Sequence, residues 1–133
     1  MLKVKTYIGI STIKGAGTGL FAKQKIKKGT VVWEFDGNDY EEPEQELFRK
    51  SPWYQHMIRN FAYFDNRRRV YVMCADWASY MNHSDTPNTT EIPFETHGRT
   101  IASKDIEKGE EIFCDYYKFD GKAKEKLQLA QAK

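Results

Sequence analysis

The sequence lacks several features that assign a chain quickly to a common class. It has only two cysteines, Cys74 and Cys114, and no Cys-x-x-Cys pair, so a bound zinc ion is not expected. A reducing compartment is the default for such a chain, and a Cys74–Cys114 disulfide stays open. No apolar run approaches the roughly 18 residues of a membrane span, and residues 1–5 lack the apolar segment of a secretory signal. We therefore expect no membrane partner and, if the source is bacterial, a cytoplasmic location; a nuclear or host-directed location stays open.

An excess of charge of one sign is also missing. The chain carries 21 basic and 19 acidic residues, a net charge of +2, whereas nucleic-acid binding calls for a clustered basic face. The one basic triplet, Arg67, Arg68 and Arg69, falls between the apolar segments 61–64 and 70–73. We interpret it as the solvated tip of a β-hairpin. Direct nucleic-acid binding is therefore not expected.

Aromatic residues, in contrast, are abundant. They make up 14% of the chain, which favours β-strands and an aromatic-lined pocket over a helical bundle. Residues 2–13 predict one or two short strands, and residues 92–103 predict another, broken near an exposed turn at His97. The pattern of residues 21–33 recurs at 101–113 with a constant offset, and each copy reads as strand, Lys-Gly turn, strand. The length of 133 residues indicates one β-rich domain that contains two similar β units.

Helices are predicted to be few and short. Pro43 suits the first turn of a helix that runs to about Lys50. Ser51 and Pro52 suit the N-cap and the first position of a second helix. In that second helix, three apolar side chains at helical spacing should face inward, namely Trp53, Met57 and Ile58.

A glycine loop follows the first strand region. Gly15, Gly17 and Gly19 permit positive φ and a close approach of the backbone to a ligand. The sequence lacks the Gly-x-Gly-x-x-Gly that opens a helix in dinucleotide-binding folds and the Gly-Lys-Ser/Thr of a phosphate loop. The loop therefore lies between strands, either as a simple hairpin or against a ligand, and a nucleotide-binding β domain is a weak alternative.

The most informative stretch is residues 80–88, Tyr-Met-Asn-His-Ser-Asp-Thr-Pro-Asn. Its Asn, Ser, Asp and Pro residues are typical of turns, so a polar loop that caps a strand is the simplest explanation. The alternative is a loop inside the fold that presents Asn82 and His83 to a ligand. The local pattern leaves both interpretations open.

Three segments together resemble the SET-domain protein-lysine methyltransferases, in that family's order. They are Gly17-Thr18-Gly19 followed by Leu20-Phe21-Ala22, Asn82-His83-Ser84 with Pro87-Asn88, and Glu110 to Tyr116. The resemblance covers roughly residues 5–117 and matches the minimal layout of the small bacterial and viral members. It implies a mainly β, β-clip-like fold of several small curved sheets with short helices and a C-terminal pseudoknot. We expect one SET domain at residues 1–120 and a helical tail at 121–133, with a narrow apolar stripe formed by Ala123, Leu127 and Ala130.

The resemblance also implies a site and its ligands. S-adenosyl-L-methionine would lie in one cleft, and a substrate lysine would enter by a narrow channel from the opposite side. Tyr116 corresponds to the family's catalytic tyrosine, and Tyr63 is a second candidate for the channel wall. The cofactor-binding candidates are Gly17, Thr18, Gly19, Tyr80, Asn82, His83, Tyr117 and Phe119. Of these, Tyr117 and Phe119 are included for their position, from which either could stack on adenine.

The implied activity is transfer of a methyl group from S-adenosyl-L-methionine to the side-chain amine of a lysine in a protein substrate. A basic substrate, such as a histone or a bacterial DNA-binding or ribosomal protein, would suit the acidic segment 41–46 as a docking surface, although an acidic helix start explains that segment too. A catalytically silent SET-like protein-binding module is the alternative, but Asn82, His83 and Tyr116 are all present. A homodimer stays open.

The chain departs from the family's better-studied members in three places. It has no cysteine-rich segment on either side of the matched region, so the tail helix or a second subunit could supply the last wall of the channel. Tyr80-Met81 stands where many members have Arg-Phe. Thr89-Thr90-Glu91 lacks an aromatic residue found there in some members. The number of methyl groups transferred is therefore left open.

Overall fold

The computed structural model describes residues 1–92 and 98–131, and within these ranges the chain forms ten short strands and three helices. The strands are β1 Thr6–Ile10, β2 Thr18–Ala22, β3 Val31–Glu34, β4 Tyr40–Pro43, β5 Tyr63–Asp65, β6 Val70–Met73, β7 Asn82–His83, β8 Thr89–Ile92, β9 Arg99–Ala102 and β10 Phe113–Cys114. The helices are α1 Glu44–Leu47, α2 Pro52–Phe61 and α3 Ala123–Gln131. The strands form small sheets with the orders β1-β2, β3-β9-β8, β4-β6-β5 and β7-β10. The predicted class, mainly β with several small sheets and short helices, is confirmed.

The glycine loop joins β1 to β2 in an antiparallel hairpin. Gly17 has a φ of 77°, and its carbonyl accepts a hydrogen bond from Ser11 N at 2.8 Å. A residue with a side chain rarely adopts such a φ, so a glycine is required where the chain turns into β2. The prediction that the glycines lie between strands is confirmed for Gly15 and Gly17, whereas Gly19 lies within β2, opposite Gly9 of β1.

The two similar β units pair with each other. Ile26 and Ile106, which occupy matching positions in the repeated pattern, exchange two backbone hydrogen bonds of 2.8 Å. At the two Lys-Gly turns, the glycine N–H of each copy donates to an alanine carbonyl of the other copy. Both isoleucines are buried in the main core, which consists of Leu20, Ala22, Ile26, Val32, Met81, Ala102, Ile106, Ile112 and Cys114. The constant offset in the sequence therefore reflects two copies of one local structure packed together.

A second, smaller core lies against α2. Its buried residues are Leu47, Ile58, Ala62, Phe64 and Tyr71. The hydroxyl of Ser51 accepts a hydrogen bond from Tyr54 N at 3.3 Å, and Pro52 takes the first helical position. The predicted start of this helix is confirmed.

The inward face of α2 differs from the prediction at one residue. Ile58 is buried and Met57 is half-buried, but the side chain of Trp53 is 72% exposed. The packed face runs through Tyr54, Ile58 and Ala62 at i, i+4 spacing, which leaves Trp53 to one side of it. The prediction for Trp53 is wrong.

The acidic segment before α1 is a strand rather than a turn. Pro43 ends β4 and occupies the N-cap of α1, so its predicted place inside the first helical turn is wrong. β4 pairs antiparallel with β6, and the carboxylate of Glu42 is buried, where it accepts hydrogen bonds from Tyr40 at 2.5 Å and Tyr54 at 3.0 Å. Glutamate is depleted in strands, so the composition of this segment does not predict a strand.

The predicted hairpin of β5 and β6 is confirmed, but its basic tip is only partly solvated. Arg67 is exposed. Arg68 is half-buried, with its Nη1 2.5 Å from Glu41 Oε1 and its Nε 2.9 Å from Asp65 Oδ2. The interpretation as a solvated tip is therefore wrong for Arg68, because two carboxylates draw its guanidinium onto the sheet.

The C-terminal strand passes through the middle of the fold. β10 pairs in parallel with β7, and on its other side Ile112 N donates to Leu20 O at 2.7 Å. The side-chain amide of Asn88 donates to Glu111 O and accepts from Phe113 N, both at 2.8 Å. The C-terminal segment is thus enclosed between β2 and the loop after β7, which is the crossing expected of the pseudoknot.

The tail helix α3 packs directly after this crossing. The side chain of Asp120 accepts a hydrogen bond from Lys122 N at 2.9 Å, as expected of a cap. Ala123 is buried and Leu127 is half-buried, while the side chain of Ala130 lies outside the described part of the chain. The division into a domain at 1–120 and a tail at 121–133 stays a prediction.

Two smaller expectations concern the cysteines and the segment 92–103. Both thiols are free, so the disulfide left open between Cys74 and Cys114 does not form. Of the strand predicted over 92–103, residues 99–102 form β9, while β8 starts earlier and ends at Ile92. The expected turn at His97 lies outside the described residues. Among the residues described, no helix is long and apolar enough to cross a membrane. The same residues contain no group of three or more His, Cys, Asp or Glu placed to hold a metal ion.

Candidate active site

A cavity of about 560 Å³ lies between the two cores. Its volume falls in the usual range for a small-ligand site. The residues around it come from β3, β5, β8, the turn after β10 and α3, and include Trp33, Tyr63, Glu91, Tyr116, Phe119 and Lys126. The wall is thus rich in aromatic rings, and its described part also carries three carboxylates and three cationic groups, those of Asp65, Glu91, Asp120, Arg67, Lys118 and Lys126.

Tyr116 is fixed at one side of this cavity. Its hydroxyl donates a hydrogen bond to Met81 O at 2.7 Å, and its ring centroid lies 6.0 Å from that of Phe119. Burial raises the pKa of the Tyr116 phenol well above its ordinary value. The hydroxyl therefore stays protonated at neutral pH, and its oxygen can still accept a hydrogen bond from a group inside the cavity.

Tyr63 lies on the opposite side of Phe119. Its ring meets that of Phe119 edge-on at 5.4 Å and that of Trp33 at 6.4 Å. Burial raises the pKa of the Tyr63 phenol as well. The structure thus brings both candidate tyrosines to one cavity and places Phe119 between them, rather than apart from them on a separate surface.

The tail helix contributes to the cavity wall. Lys126 Nζ donates to Ala62 O and to Asp120 Oδ2, both at 2.6 Å, and lies 5.2 Å from the ring centroid of Tyr116. Its side chain is therefore held in place by two oxygen partners. α3 therefore contributes to the wall of the cavity. The tail helix is one of the two elements that could supply the last wall of the expected channel.

A second cluster, polar rather than aromatic, surrounds the carboxylate of Glu111. It accepts hydrogen bonds from Ser11 Oγ at 2.8 Å, Thr12 N at 2.7 Å and Thr12 Oγ1 at 2.6 Å, and from Asn82 Nδ2 at 3.1 Å. A Cβ on Gly19 would lie 2.2 Å from Glu111 Oε1, so only glycine fits there. Glu111 therefore joins the glycine loop to the central loop.

The charge of Glu111 should make stability depend on pH. Burial acts to raise the pKa of this carboxyl, but the hydrogen bonds from Thr12, Asn82 and Ser11 outweigh it and lower the pKa below 4.5. A depressed folded-state pKa contributes stability that is complete above the unfolded-state pKa and lost as the pH falls through the folded one. We expect the free energy of unfolding to decline below about pH 4.5 for this reason.

Glu111→Gln tests this expectation by urea unfolding between pH 3 and pH 7. The variant should lose about 2–3 kcal/mol at pH 7, because hydrogen bonds to a charged acceptor are replaced by weaker ones, and it should be less sensitive to acid. Glu110→Gln, at the exposed neighbouring position, is the control. Equal stability and equal acid sensitivity of Glu111→Gln and the parent would contradict the assignment.

Asn82 lies at the edge of the glycine loop. Its Nδ2 also donates to Thr18 O at 3.0 Å, so both amide protons are used within the protein. None of its hydrogen bonds to described residues involves Oδ1. Thr18 and Gly17 are exposed beside it, and a Cβ on Gly17 would meet no atom within 4 Å. An acceptor oxygen and open backbone therefore face the same space.

His83 connects the polar cluster to the cavity. Its Nδ1 accepts a hydrogen bond from Tyr116 N at 3.2 Å, and its Nε2 lies 3.2 Å from Asp85 Oδ1. Its ring lies 5.3 Å from that of Tyr117, which is 61% exposed. The imidazole is thus engaged by the protein, whereas the exposed face of Tyr117 remains open to a ligand.

Tyr80 is farther from these residues. Its ring packs edge-on against Phe61 at 6.2 Å and near Trp77 at 6.3 Å. Phe61 and Trp77 are both exposed. Among the cofactor-binding candidates, Tyr80 therefore belongs to an aromatic cluster of its own, next to the cavity rather than in the polar cluster.

The sequence did not single out three residues that shape the site. Glu111 belongs to the third motif but is assigned no role by it, Glu91 stands where some family members have an aromatic residue, and Lys126 is one of four lysines in the tail. An acidic residue that directly precedes the buried pair Ile112 and Cys114 was the one available sign for Glu111. The positions of Glu91 and Lys126 depend on packing between distant segments.

Comparison with known proteins agrees with this geometry. The SET domain family model matches residues 17–117, and the chain belongs to the SET domain family. The resemblance and the SET fold inferred from the three motifs are confirmed.

Solved structures with the same fold include assemblies much larger than this chain. The Chaetomium thermophilum Polycomb Repressive Complex 2 bound to GSK126 is 25% identical, with a TM-score of 0.70 over 95% of this chain and 17% of that chain. A humanized mutant of that complex bound to the inhibitor GSK343 is 26% identical, with a TM-score of 0.71 over 94% of this chain and 16% of that chain. A ctPRC2 structure in an autoinhibited conformation bound to S-adenosylmethionine is 23% identical, with a TM-score of 0.69 over 99% of this chain and 17% of that chain; its likeness is one of fold. The chain thus spans about a sixth of these relatives.

Proposed function

We propose that the chain transfers a methyl group from S-adenosyl-L-methionine to the side-chain amine of a lysine in a protein substrate. The observation that carries this proposal is the placement of the Tyr116 hydroxyl in the wall of the cavity, while the adjacent residues His83 and Asn82 bond to Tyr116 N and to Thr18 O of the glycine loop. Family membership over residues 17–117 supports it.

The residues of the polar cluster suit this cofactor. The open backbone beside Gly17 admits a ligand, Asn82 Oδ1 can accept from an ammonium group, and the exposed ring of Tyr117 offers a face to an adenine. When bound, S-adenosyl-L-methionine supplies an electrophilic methyl group on a sulfonium sulfur. The residues that would hold it are Gly17, Thr18, Gly19, Asn82, His83 and Tyr117.

The aromatic cavity addresses the main chemical obstacle, which is the charge of the acceptor. A lysine amine attacks only when neutral, and neutrality at pH 7 costs about 4–5 kcal/mol from a pKa of about 10.4. Burial in an apolar cavity favours the neutral amine.

Tyr116 then orients the amine rather than deprotonating it. Its proton is committed to Met81 O, and its raised pKa keeps the phenol neutral. The remaining lone pairs can accept an N–H of the amine and direct the nitrogen lone pair away from the ring. Alignment of this kind lowers the barrier because the reacting atoms meet in the geometry of the transition state.

A catalytically silent binding module remains the alternative. It would keep the fold and the cavity but bind a lysine-containing partner without transfer. Labelling of protein extracts with a tagged cofactor, followed by mass spectrometry, separates the two functions. Labelled lysines that disappear in Tyr116→Phe support the enzyme, whereas cofactor binding without any label supports the module.

We propose that the substrate is a protein with an accessible lysine. A basic protein, such as a histone or a bacterial DNA-binding or ribosomal protein, is the class that we propose. The acidic segment is a weaker docking surface than its composition suggests. Glu42 is buried, and Glu41 and Glu44 pair with Arg68 and Arg69. Most of its negative charge is therefore already neutralised within the protein.

Asn82→Ala should weaken S-adenosyl-L-methionine binding by about 1–3 kcal/mol, because a polar partner of the cofactor would be lost from a partly buried site. Isothermal titration calorimetry on folded variant protein measures this directly. Asn38→Ala, at an exposed position away from the site, should bind as the parent does. An unchanged affinity in Asn82→Ala would remove Asn82 from the cofactor site.

A further inference from the structure

Glu91 is an acidic side chain in the cavity wall that has no role in the proposed mechanism. It belongs to β8, directly opposite Thr100 of β9, and both residues line the cavity. Thr100 Oγ1 lies 2.9 Å from Glu91 Oε1 and 2.8 Å from Oε2. A hydroxyl has a single proton, so these two distances represent one shared hydrogen bond.

This carboxylate has spare capacity to accept hydrogen bonds. An ionised carboxylate offers about four acceptor positions, and among the described residues only Thr100 donates to Glu91. The wall also contains Trp33, whose buried Nε1 has no hydrogen-bond partner in the described part of the chain. A polar ligand that enters the cavity would therefore find an acceptor whose bonding is incomplete.

The other acids in the wall are already neutralised. Asp65 accepts from the guanidinium of Arg68 at 2.9 Å, and Asp120 accepts from Lys126 Nζ at 2.6 Å. No cation of the described residues forms an ion pair with Glu91 within 4.0 Å. Of the three carboxylates that line the cavity within residues 1–92 and 98–131, only that of Glu91 is thus open to a cation from outside.

The surroundings of Glu91 also determine the pH range in which its carboxyl group is ionised. The ionisable groups that act on it are Tyr63 of β5, Cys114 of β10 and Lys118 of the turn that follows. Burial raises the pKa of both Tyr63 and Cys114, so neither is charged at neutral pH. Burial raises the pKa of Glu91 to about 7, against the opposing effects of the Thr100 hydrogen bond and of Lys118.

We propose that Glu91 accepts the proton that the substrate lysine loses inside the cavity before methyl transfer. This inference rests on the proposed function. One N–H bond of the ammonium breaks, its electron pair stays on nitrogen, and an O–H bond forms on the carboxylate. The products are a neutral amine and a neutral carboxylic acid, so no separated charge is left in the aromatic wall. The acid returns its proton to solvent between turnovers.

A match in proton affinity supports this role. Proton transfer catalysis is most effective when the pKa of the base lies near the working pH. An ordinary glutamate is too weak a base at pH 7, and the Tyr116 phenol is already protonated and committed to Met81 O. The basicity of Glu91, which lines the same cavity, lies between that of an ordinary glutamate and that of the Tyr116 phenolate.

The test compares single-turnover rates of the parent and Glu91→Gln from pH 6 to 9.5, with saturating methyl-labelled S-adenosyl-L-methionine. The acceptor is a mixture of purified core histones and total bacterial protein. The parent rate should rise through about pH 7 and then level off, as Glu91 ionises. Glu91→Gln should be slower by on the order of 10²-fold at pH 7 and should recover about tenfold per pH unit, because free amine then forms only in solution.

Two further variants keep the test independent of folding. Thr100→Val removes the hydrogen bond that lowers the pKa of Glu91, so the midpoint of the pH profile should move upward. Glu125→Gln, on the exposed side of α3, should keep the parent profile. Carbon-13 NMR of glutamate-labelled protein without cofactor should show one carboxyl that titrates near pH 7 in the parent and is missing in Glu91→Gln.

The outcomes separate this inference from the proposed function. A parent that binds no S-adenosyl-L-methionine and labels no protein would overturn both. An active parent with an unchanged rate and pH profile in Glu91→Gln would overturn the inference alone. So would a raised KM with an unchanged single-turnover rate, since Glu91 would then attract the lysine without taking its proton, and so would an ordinary titration of Glu91 near pH 4.5.

Discussion

Tyr116→Phe is expected to reduce methyl transfer by a factor on the order of 10²–10⁴ while leaving the fold and cofactor binding intact. The substitution removes one hydroxyl and keeps the ring that packs against Phe119 and His83. The glycine loop, Asn82 and Glu111 are untouched. The loss should therefore appear in turnover, because the hydrogen bond to the amine matters most when the lone pair points at the methyl group.

Single-turnover kinetics at saturating cofactor would measure this loss. Tyr7→Phe is the matched control, because Tyr7 is exposed and stacks on Phe21 away from the cavity. Tyr63→Phe decides between the two tyrosines of the cavity. Near-parental turnover in Tyr116→Phe together with an inactive Tyr63→Phe would give the catalytic role to Tyr63, and activity in both would show that the acceptor amine lies elsewhere.

Asp120→Ala should be the most destabilising single change near the site. The carboxylate is fully buried and accepts hydrogen bonds from Phe64 N at 3.1 Å, Lys122 N at 2.9 Å and Lys126 Nζ at 2.6 Å. Its removal leaves a buried ammonium without its counter-ion, for which the expected loss is about 3–5 kcal/mol. α3 should separate from the body, because both its cap and its anchor depend on this residue.

Urea unfolding and the hydrogen exchange of the α3 amides would test this expectation. Lys126→Met is the informative partner variant, since it removes the charge and keeps a side chain of similar length. The double variant Asp120→Asn with Lys126→Met should recover part of the loss, because no unpaired charge is then buried. An Asp120→Ala protein with parental stability and protected α3 amides would show that the helix is held by other contacts.

The sequence was sufficient where short motifs demand one local geometry. Gly15 and Gly17 predicted a loop between strands, and both adopt the positive φ that favours glycine. The echo between residues 21–33 and 101–113 predicted two similar units, and Ile26 and Ile106 do occupy equivalent places. Ser51 and Pro52 marked a helix start by their chemistry alone.

Where distant segments decide the outcome, the sequence was insufficient. β4 has the composition of a turn. It forms a strand because Glu41 makes an ion pair with Arg68 and Glu42 accepts hydrogen bonds from two tyrosine hydroxyls. Arg68 leaves the solvent for the same reason. Trp53 has the right spacing to face inward, but the small core is reached by the adjacent face of α2. Such pairings depend on tertiary structure, which local pattern does not encode.

The crossing of the C-terminal strand also bears on how and when the protein acquires its site. Glu111 is bonded to Ser11 and Thr12, which lie 100 and 99 positions earlier in the chain. Contacts of such sequence separation close large loops, so they form late in folding and slow it. During synthesis the glycine hairpin can form early, but it has neither Glu111 nor β10 to hold it until those residues have left the ribosome. A nascent or truncated chain that ends before residue 111 should therefore bind no cofactor. The amount of cofactor bound to this protein in cells would then report how many chains have completed folding rather than how many have been made.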